Sequence, residues 1–316
     1  MGEPVGRITG SLDRFEEIVG TLHWSMEFTH ASILDTGSRN TGDKVIPRWE
    51  SSCRTLGGLW NERGAGVEIY VCKDEETVGR VAADVFRDRL RNVQEPVLGL
   101  ATGSTPLGLY SNLQRMVEAG ELDLTGAKGF ALDEYVGLSR EHPESYYQVI
   151  QRTVVEPLQL DPANVRVPDG LAEDLHAAGA AYGEAIREAG GIDIQVLGVG
   201  SNGHIGFNEP FSSFASVTRP IKLSDQTRED NSRFFDSLDE VPTHAVTQGL
   251  STILKSRTAL MLALGEGKAE AIAHLLEHPM GVLWPISSLQ LHRDVVVVID
   301  EAAASKLEHR DHFVFV

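Results

Sequence analysis

The sequence predicts an α/β fold: a doubly wound, mostly parallel sheet with helices on both faces and a lid segment. Three observations carry that prediction. Short apolar runs recur between residues 67 and 299 with the length of buried strands. Between them lie stretches whose apolar residues share one helical face. Several strand ends run straight into glycine-rich turns, at Gly103, at Gly198 to Gly206 and at Gly265 to Gly267. Strands alternating with helices require right-handed crossovers and a parallel, Rossmann-like sheet.

Residues 1–66 are the exception. Leu12 to Leu22 has the pattern of a short helix, but the rest is polar, glycine-rich and weakly periodic. The segment reads as a poorly structured N-terminal extension, either a regulatory arm or the product of a start codon placed upstream of a native start near Val67. A single ordered domain is expected over 67–316. Val67-Glu-Ile-Tyr-Val71 alternates as a strand, and Val78, Val81, Ala82, Val85 and Phe86 form the apolar face of the next helix. Residues 97–101 are the second strand. It enters Thr102-Gly-Ser-Thr-Pro106 and a helix through Leu107, Leu109, Tyr110 and Leu113, with Pro106 suited to the first helical position. Residues 129–132 form a third strand that stops at Asp133-Glu134. Pro143-Glu-Ser-Tyr-Tyr147 opens a helix within 139–151, and 175–189 is an alanine-rich helix. Residues 192–199 are the strand before the longest glycine-rich loop. Residues 208–240, polar and rich in proline and arginine, suit a mobile cover over a site. A strand at 258–264, a helix from Lys268 to about Glu277 and a strand at 294–299 complete the alternation.

Charge and cysteine usage narrow the function. A net charge of −18 argues against broad binding to nucleic acid or anionic membranes. It still permits an anionic small substrate, which needs only a few local cations or backbone N–H groups. No apolar stretch has the length of a bilayer span. The start Met-Gly-Glu-Pro-Val-Gly-Arg lacks the basic-then-apolar order of a signal peptide. Cys53 and Cys72, the two cysteines of the chain, give neither a disulfide framework nor a zinc spacing. The expected setting is a reducing cytoplasm.

The chemistry concentrates after the strand that ends at Val199. Asn202, His204 and Glu209 share one loop past a strand's carboxyl end, where open α/β sheets place ligands. An imidazole moves protons near neutral pH, and a neighbouring carboxylate can orient it. Gly103 lets the backbone approach a ligand, and Ser104 and Thr105 with the free N–H groups of a helix start suit a phosphate. The turn lacks the Gly-Lys-Ser/Thr ending of a Walker loop and is not a dinucleotide fingerprint. Lys268 stands at a helix start against the dipole, a placement that an adjacent anion would explain. Asp133 and Glu134 follow a strand end, where a carboxylate can take a proton from carbon beside a carbonyl. Arg228 and Arg233 lie in the cover segment, and arginine grips phosphate with two parallel hydrogen bonds. Metal ligation by His204 with Glu209, or by His142 with Glu141 and Glu144, fits no standard spacing, so no metal is expected. Each feature alone has an ordinary explanation: a tight turn, a capped helix, a surface ion pair.

Together they are specific. Leu98-Gly-Leu-Ala-Thr-Gly-Ser-Thr-Pro106, Leu132-Asp-Glu-Tyr-Val-Gly-Leu138, His142-Pro-Glu-Ser-Tyr-Tyr147, Gly198-Val-Gly-Ser-Asn-Gly-His-Ile-Gly-Phe-Asn-Glu-Pro210, Asn231-Ser-Arg-Phe-Phe235 and Ser287-Ser-Leu-Gln-Leu-His292 occur in this order. With them the chain resembles the glucosamine-6-phosphate deaminase family, also called glucosamine-6-phosphate isomerases, over most of 67–316. The tail from Asp300 to Glu308 looks most like actinobacterial members. The resemblance implies conversion of glucosamine 6-phosphate and water to fructose 6-phosphate and ammonia, without metal or organic cofactor. By motif, Asp133 matches the enolisation base and His204 the ring-opening proton shuttle. Glu209 matches the supporting carboxylate, and Asn202 a ring-opening position that is Asp in some members and Asn in others. Gly103, Ser104, Thr105, Arg233 and Lys268 match phosphate-binding positions.

Some members are hexamers activated by N-acetylglucosamine 6-phosphate, so a homo-oligomer is implied. Two effector positions match, Ser212 and Arg219. Ile221, with Lys222 beside it, replaces the effector lysine, so strong allostery is not expected. The competing readings are a galactosamine-6-phosphate enzyme, a 6-phosphogluconolactonase and a non-catalytic sugar-phosphate sensor. Asn208-Glu209-Pro210 and Asp133-Glu-Tyr-Val-Gly137 favour the deaminase over the lactonase.

Overall fold

An eight-stranded sheet is the centre of the fold, and the way the chain winds through it fixes where a ligand can sit. The computed structural model describes residues 53–56 and 66–309, which lie within the unit 46–316. In chain order the first elements are β1 (Cys53–Leu56), β2 (Gly66–Cys72), α1 (Glu75–Leu90), β3 (Val97–Leu100), α2 (Leu107–Glu118) and β4 (Lys128–Ala131). Next come β5 (Asp133–Tyr135), α3 (Tyr146–Ile150), β6 (Val165–Arg166), α4 (Leu175–Glu188), β7 (Ile194–Leu197) and β8 (Arg219–Lys222). The last are α5 (Asp225–Asn231), β9 (His244–Thr247), α6 (Leu250–Ile253), β10 (Thr258–Ala263), α7 (Ala269–Leu276) and β11 (Asp294–Asp300).

The main sheet runs β1-β2-β11-β10-β7-β3-β4-β6. All its neighbours are parallel except the antiparallel pair of β1 and β2. From β3 the chain moves outward through β4 to β6. It then returns to β7 on the other side of β3 and proceeds through β10 and β11. The winding direction therefore reverses between β3 and β7, the switch point at which doubly wound sheets bind ligands. The two loops singled out in the sequence, 101–106 and 198–210, leave the carboxyl ends of these two strands.

Strand alternation divides the core between the two faces. Leu98 and Leu100 join the main cluster with Val78, Val81 and Phe86 of α1 and Leu109 and Leu113 of α2. Their neighbours on the other face, Val97 and Phe130, pack with Tyr182 and Ile186 of α4. Helices thus cover both faces, and β11 from Val295 to Ile299 is fully buried. The helix starts follow their capping residues. Asp74 accepts the Thr77 N–H at 2.9 Å, and Asp174 accepts those of His176 and Ala177. Among the described residues no helix is long and apolar enough to cross a membrane.

The sequence showed no sign of a second sheet, three antiparallel strands in the order β5-β9-β8. Leu132 links the two sheets: its N–H donates to Leu100 O in the main sheet, and its carbonyl accepts the Gln248 N–H. Asp133 is thus the first residue of a second strand, paired with Thr247, directly after the apolar run 129–132 that predicts a strand ending there. The expected cover, 208–240, contributes β8 and α5 and seals Phe207, Leu223 and Ala245 against Tyr135. The strand β1 falls inside the segment read as extension. Four residues are too few for alternation to be legible. The helix expected at Leu12 to Leu22 lies outside the described residues.

Candidate active site

The loop after β7 folds back on itself through glycines. Gly200 N–H donates to His204 O at 2.9 Å, and a Cβ placed on Gly200 would fall 2.2 Å from the His204 ring. The imidazole therefore lies against bare backbone, and only glycine fits beneath it.

Asn202 and Glu209 then set the proton on that ring. Asn202 Oδ1 lies 2.7 Å from His204 Nδ1 and also accepts the His204 backbone N–H at 3.1 Å. Asn202 Nδ2 donates to Glu209 Oε2 at 2.8 Å. Two donors at the amide oxygen and a carboxylate at the nitrogen fix the amide's orientation. His204 consequently carries its hydrogen on Nδ1 and leaves the Nε2 lone pair free to accept a proton. Glu209 itself is 3.8 Å from Nδ1 and reaches the ring through Asn202. Its other oxygen accepts the hydroxyls of Ser224, at 3.0 Å, and Thr227. Ser224 is also the cap of α5, so the cover segment is fastened to this relay. Burial holds His204 below the usual imidazole value, against the pull of Glu209. Burial pushes Glu209 up, but the charge of a protonated His204 and the hydrogen bonds from Thr227, Asn202 and Ser224 bring it below the usual carboxylate range, and the hydrogen bonds remain when the ring is neutral. At neutral pH the pair is a neutral imidazole and a charged carboxylate.

The acidic pair after β4 divides its labour. Glu134 accepts three backbone N–H bonds, from Tyr135 at 2.8 Å and from Tyr146 and Tyr147 at 2.9 Å each. The last two are the first residues of α3, so Glu134 anchors that helix start. Asp133 has no such role. It is buried, and its carboxyl is pushed up to about 8 by burial first and then by the adjacent Glu134 charge, while the Thr247 hydroxyl draws it down. A Cβ on Gly206 would fall 3.4 Å from Asp133 Oδ2. The loop that carries His204 thus passes directly over the carboxylate because residue 206 has no side chain.

Cations gather after β10. Gly265, with φ 82°, turns the chain into Glu266–Lys268 and α7. Burial lowers Lys268, with Asp230 raising it and Arg233 lowering it further. The Arg233 guanidinium lies 4.7 Å from the Phe234 ring centre. Among the described residues, neither Lys268 nor Arg233 has a carboxylate within ion-pair distance. Arg228 is different: it donates to the carbonyls of Leu238 and Val241 and shapes the cover. At the end of β3, Gly103 has φ 92° and open space above it, and Ser104 is exposed. Pro106 stands at the cap of α2 rather than in its first turn, and no side chain caps that helix.

These groups sit at the carboxyl ends of four neighbouring strands, β10, β7, β3 and β4. The residues singled out for catalysis or phosphate follow the ends of these four strands, Asp133 as the first residue of β5, except Arg228 and Arg233 of the cover segment; Arg233 is close enough to Lys268 for its charge to lower that lysine. Two expectations concern other places. His142 accepts the Glu144 N–H and stacks on Phe235, and among the described residues no group of three His, Cys, Asp or Glu side chains is placed to hold a metal. Arg219 donates to Asn208 Oδ1 at 2.9 Å and to Ser212 Oγ at 3.3 Å. A cavity of about 390 Å³ between α4 and β6 is lined by Arg140, Arg166 and Tyr182 but holds no acid–base pair. Sequence reasoning missed Thr247, Ser224 and Thr227, since a hydroxyl in a strand or helix cap carries no motif.

Residues 73–298 match the family model described as glucosamine-6-phosphate isomerases/6-phosphogluconolactonase. The chain is 51% identical to the glucosamine-6-phosphate deaminase of Cutibacterium acnes over 247 residues, 78% of this chain and 95% of that one. Among solved structures, a monomeric glucosamine-6-phosphate deaminase aligns with TM-score 0.73 and 41% identity, covering 75% of this chain and 98% of that one. A 6-phosphogluconolactonase from Trypanosoma cruzi aligns with TM-score 0.62 at 20% identity, over 76% and 96% of the two chains, a likeness of fold alone.

Proposed function

The chain belongs to the family of glucosamine-6-phosphate isomerases and 6-phosphogluconolactonases, and from that premise we propose that it converts glucosamine 6-phosphate and water to fructose 6-phosphate and ammonia. The observation that carries this reading is the convergence, from strand ends on either side of β3, of an imidazole with its Nε2 free to accept a proton and a buried carboxylate whose proton affinity is raised.

The residue types fit the chemistry. A closed pyranose has no acidic C2–H. His204 Nε2 takes the O1 proton and returns it to the ring oxygen, which opens the sugar to an aldehyde. The C2 proton is then α to a carbonyl, and Asp133 removes it. Returning a proton to C1 gives the 2-imino ketose, water adds at C2 and ammonia leaves. The substrate carbonyl is the electron sink. A carboxylate raised to about 8 is a far stronger base than an exposed one. The substrate's own ammonium at C2 would stabilise the charged form of Asp133 when bound. Asn202 and Glu209 hold the His204 tautomer, and Glu134 fixes α3 while raising Asp133. Gly103, Ser104, Thr105, Arg233 and Lys268 would take the phosphate. That grip at the far end supplies the orientation that proton transfer requires.

The reading places the enzyme in the cytoplasm and as a homo-oligomer; light scattering on the purified chain distinguishes that from a monomer. The test of function is release of ammonium and fructose 6-phosphate from glucosamine 6-phosphate, with and without EDTA. Equal release of both products, indifferent to EDTA, is expected. Release from galactosamine 6-phosphate alone would change the substrate. Hydrolysis of 6-phosphogluconolactone alone would replace the reaction, and binding without turnover would make the protein a sensor.

A further inference from the structure

Thr247 is fully buried at the end of β9 and is the register partner of Asp133 on β5. Its hydroxyl oxygen accepts the Phe207 N–H at 3.1 Å. Phe207 follows Gly206 in the loop that carries His204. A Cβ on Gly206 would stand 2.9 Å from Thr247 Oγ1 and 3.4 Å from Asp133 Oδ2, so both oxygens border one narrow space. A hydroxyl has one proton to give. With the Phe207 amide on its lone pair, that proton is left for the Asp133 carboxylate, the alternative being the Gln248 carbonyl at 3.5 Å.

We propose that Thr247 is a positioning residue for proton transfer at C2: its hydroxyl, held by the Phe207 amide, aims the Asp133 carboxylate and registers it with the loop that carries His204. The proposal rests on Asp133 being the base. The reaction uses two proton-transfer groups on adjacent carbons of one sugar, so their mutual placement matters as much as either alone. Thr247 bonds to the loop of one and faces the carboxylate of the other.

Thr247 also favours the charged form of Asp133. Burial and Glu134 oppose that form, and Thr247 counters them. The other titratable groups near enough to interact electrostatically with Asp133 are Tyr135 on its own strand, Tyr146 on α3 and Tyr182 on α4, all held protonated by burial. Glu134 is fastened by three backbone N–H groups.

The test compares Thr247→Val, Thr247→Ser and Asp133→Asn in the full chain, with kcat, KM and the pH profile read from ammonia release. Thr247→Val is expected to lower kcat about tenfold or more with KM changed less than about twofold, the scale of a lost hydrogen bond to a charged group. Its acidic limb should move to higher pH, and Thr247→Ser should restore both rate and limb. Loss of structure alone would lower the amount of active enzyme without moving the limb. Native kcat and an unmoved limb in Thr247→Val, beside an inactive Asp133→Asn, would overturn the proposal and leave the base assignment standing. A near-native Asp133→Asn would remove the base assignment itself. Neutron diffraction of the unmodified protein above pH 9, where Asp133 is charged, decides the matter without a variant. Deuterium on the Asp133 side of Thr247 Oγ supports the proposal, and deuterium aimed at the Gln248 carbonyl overturns it.

Discussion

Asn202 Oδ1 lies 2.7 Å from His204 Nδ1, and this contact determines which ring nitrogen is left free to accept a proton. An aspartate there would add a charge beside the ring; the asparagine orients it and adds none. We predict that ¹⁵N NMR of the imidazole shows a protonated Nδ1 and a bare Nε2 at neutral pH. Asn202→Asp should raise the His204 pKa and move the acidic limb of ring opening upward. Asn202→Ala should leave both tautomers populated. A single Nε2–H tautomer in the unmodified protein would contradict the assigned role.

Asp133→Asn should lower turnover by more than about a hundredfold, the low end for lost acid–base catalysis, while phosphate affinity stays within a few-fold. The same substitution should stabilise the fold. The folded carboxyl, at about 8, lies above its ordinary value of 3.8. Such a group contributes stability that is complete below pH 4 and is lost as pH rises through 8. Asparagine does not titrate, so its advantage should widen from pH 5 to pH 8, reaching at least about 1 kcal/mol, or roughly 2–4 °C in melting temperature. Thermal denaturation at both pH values measures it. Equal melting temperatures at pH 8 would mean that Asp133 is not strained by burial.

Most of the parallel sheet was legible in the sequence because its strands are continuous apolar runs and its helices have clean apolar faces. The placement of His204 and Asp133 at strand ends was legible too, the first from the glycine-rich turn after its strand and the second from an acidic pair that ends an apolar run. The small sheet was not. β5 is three residues whose side chains are two carboxylates and a tyrosine, and β8 and β9 are four residues each. Their pairing is set by tertiary contact with Phe207 and Leu223 rather than by a period. The separate jobs of Asp133 and Glu134 were equally hidden, because only the fold shows that α3 begins over one carboxylate and not the other.

Lys268→Ala and Arg233→Ala should each raise KM for the phosphorylated sugar about tenfold or more and change kcat less, since each would remove a proposed charged contact made before and during reaction. Inorganic phosphate should inhibit the unmodified enzyme competitively and each variant more weakly. Unchanged inhibition by phosphate in both variants would place the anion elsewhere.

Arg219 is half-buried and already bonded to Asn208 and Ser212. An N-acetylated sugar phosphate would have to draw that guanidinium away from Asn208, with Ile221 where a lysine would help. Substrate saturation curves with and without N-acetylglucosamine 6-phosphate should therefore nearly coincide. A large leftward shift would show that the site works as an effector site despite Ile221.

The pH dependence should separate free from bound enzyme. In the free enzyme the Asp133 limb lies near 8, so kcat/KM, corrected for titration of the substrate's own amine, should still be rising at pH 7. In the proposed complex an ammonium at C2 would face the carboxylate and favour its charged form, so the limb in kcat should lie lower. His204 must be neutral to accept a proton. Burial keeps it below the usual imidazole value, so it should not limit the rate above pH 7. On the alkaline side burial also lowers Lys268, and its loss of charge should appear as a rise in KM with little change in kcat. Initial rates from pH 5.5 to 9.5 resolve these limbs. If the kcat and kcat/KM limbs coincide, the substrate amine does not face Asp133, and the assignment of the C2 proton to that carboxylate fails.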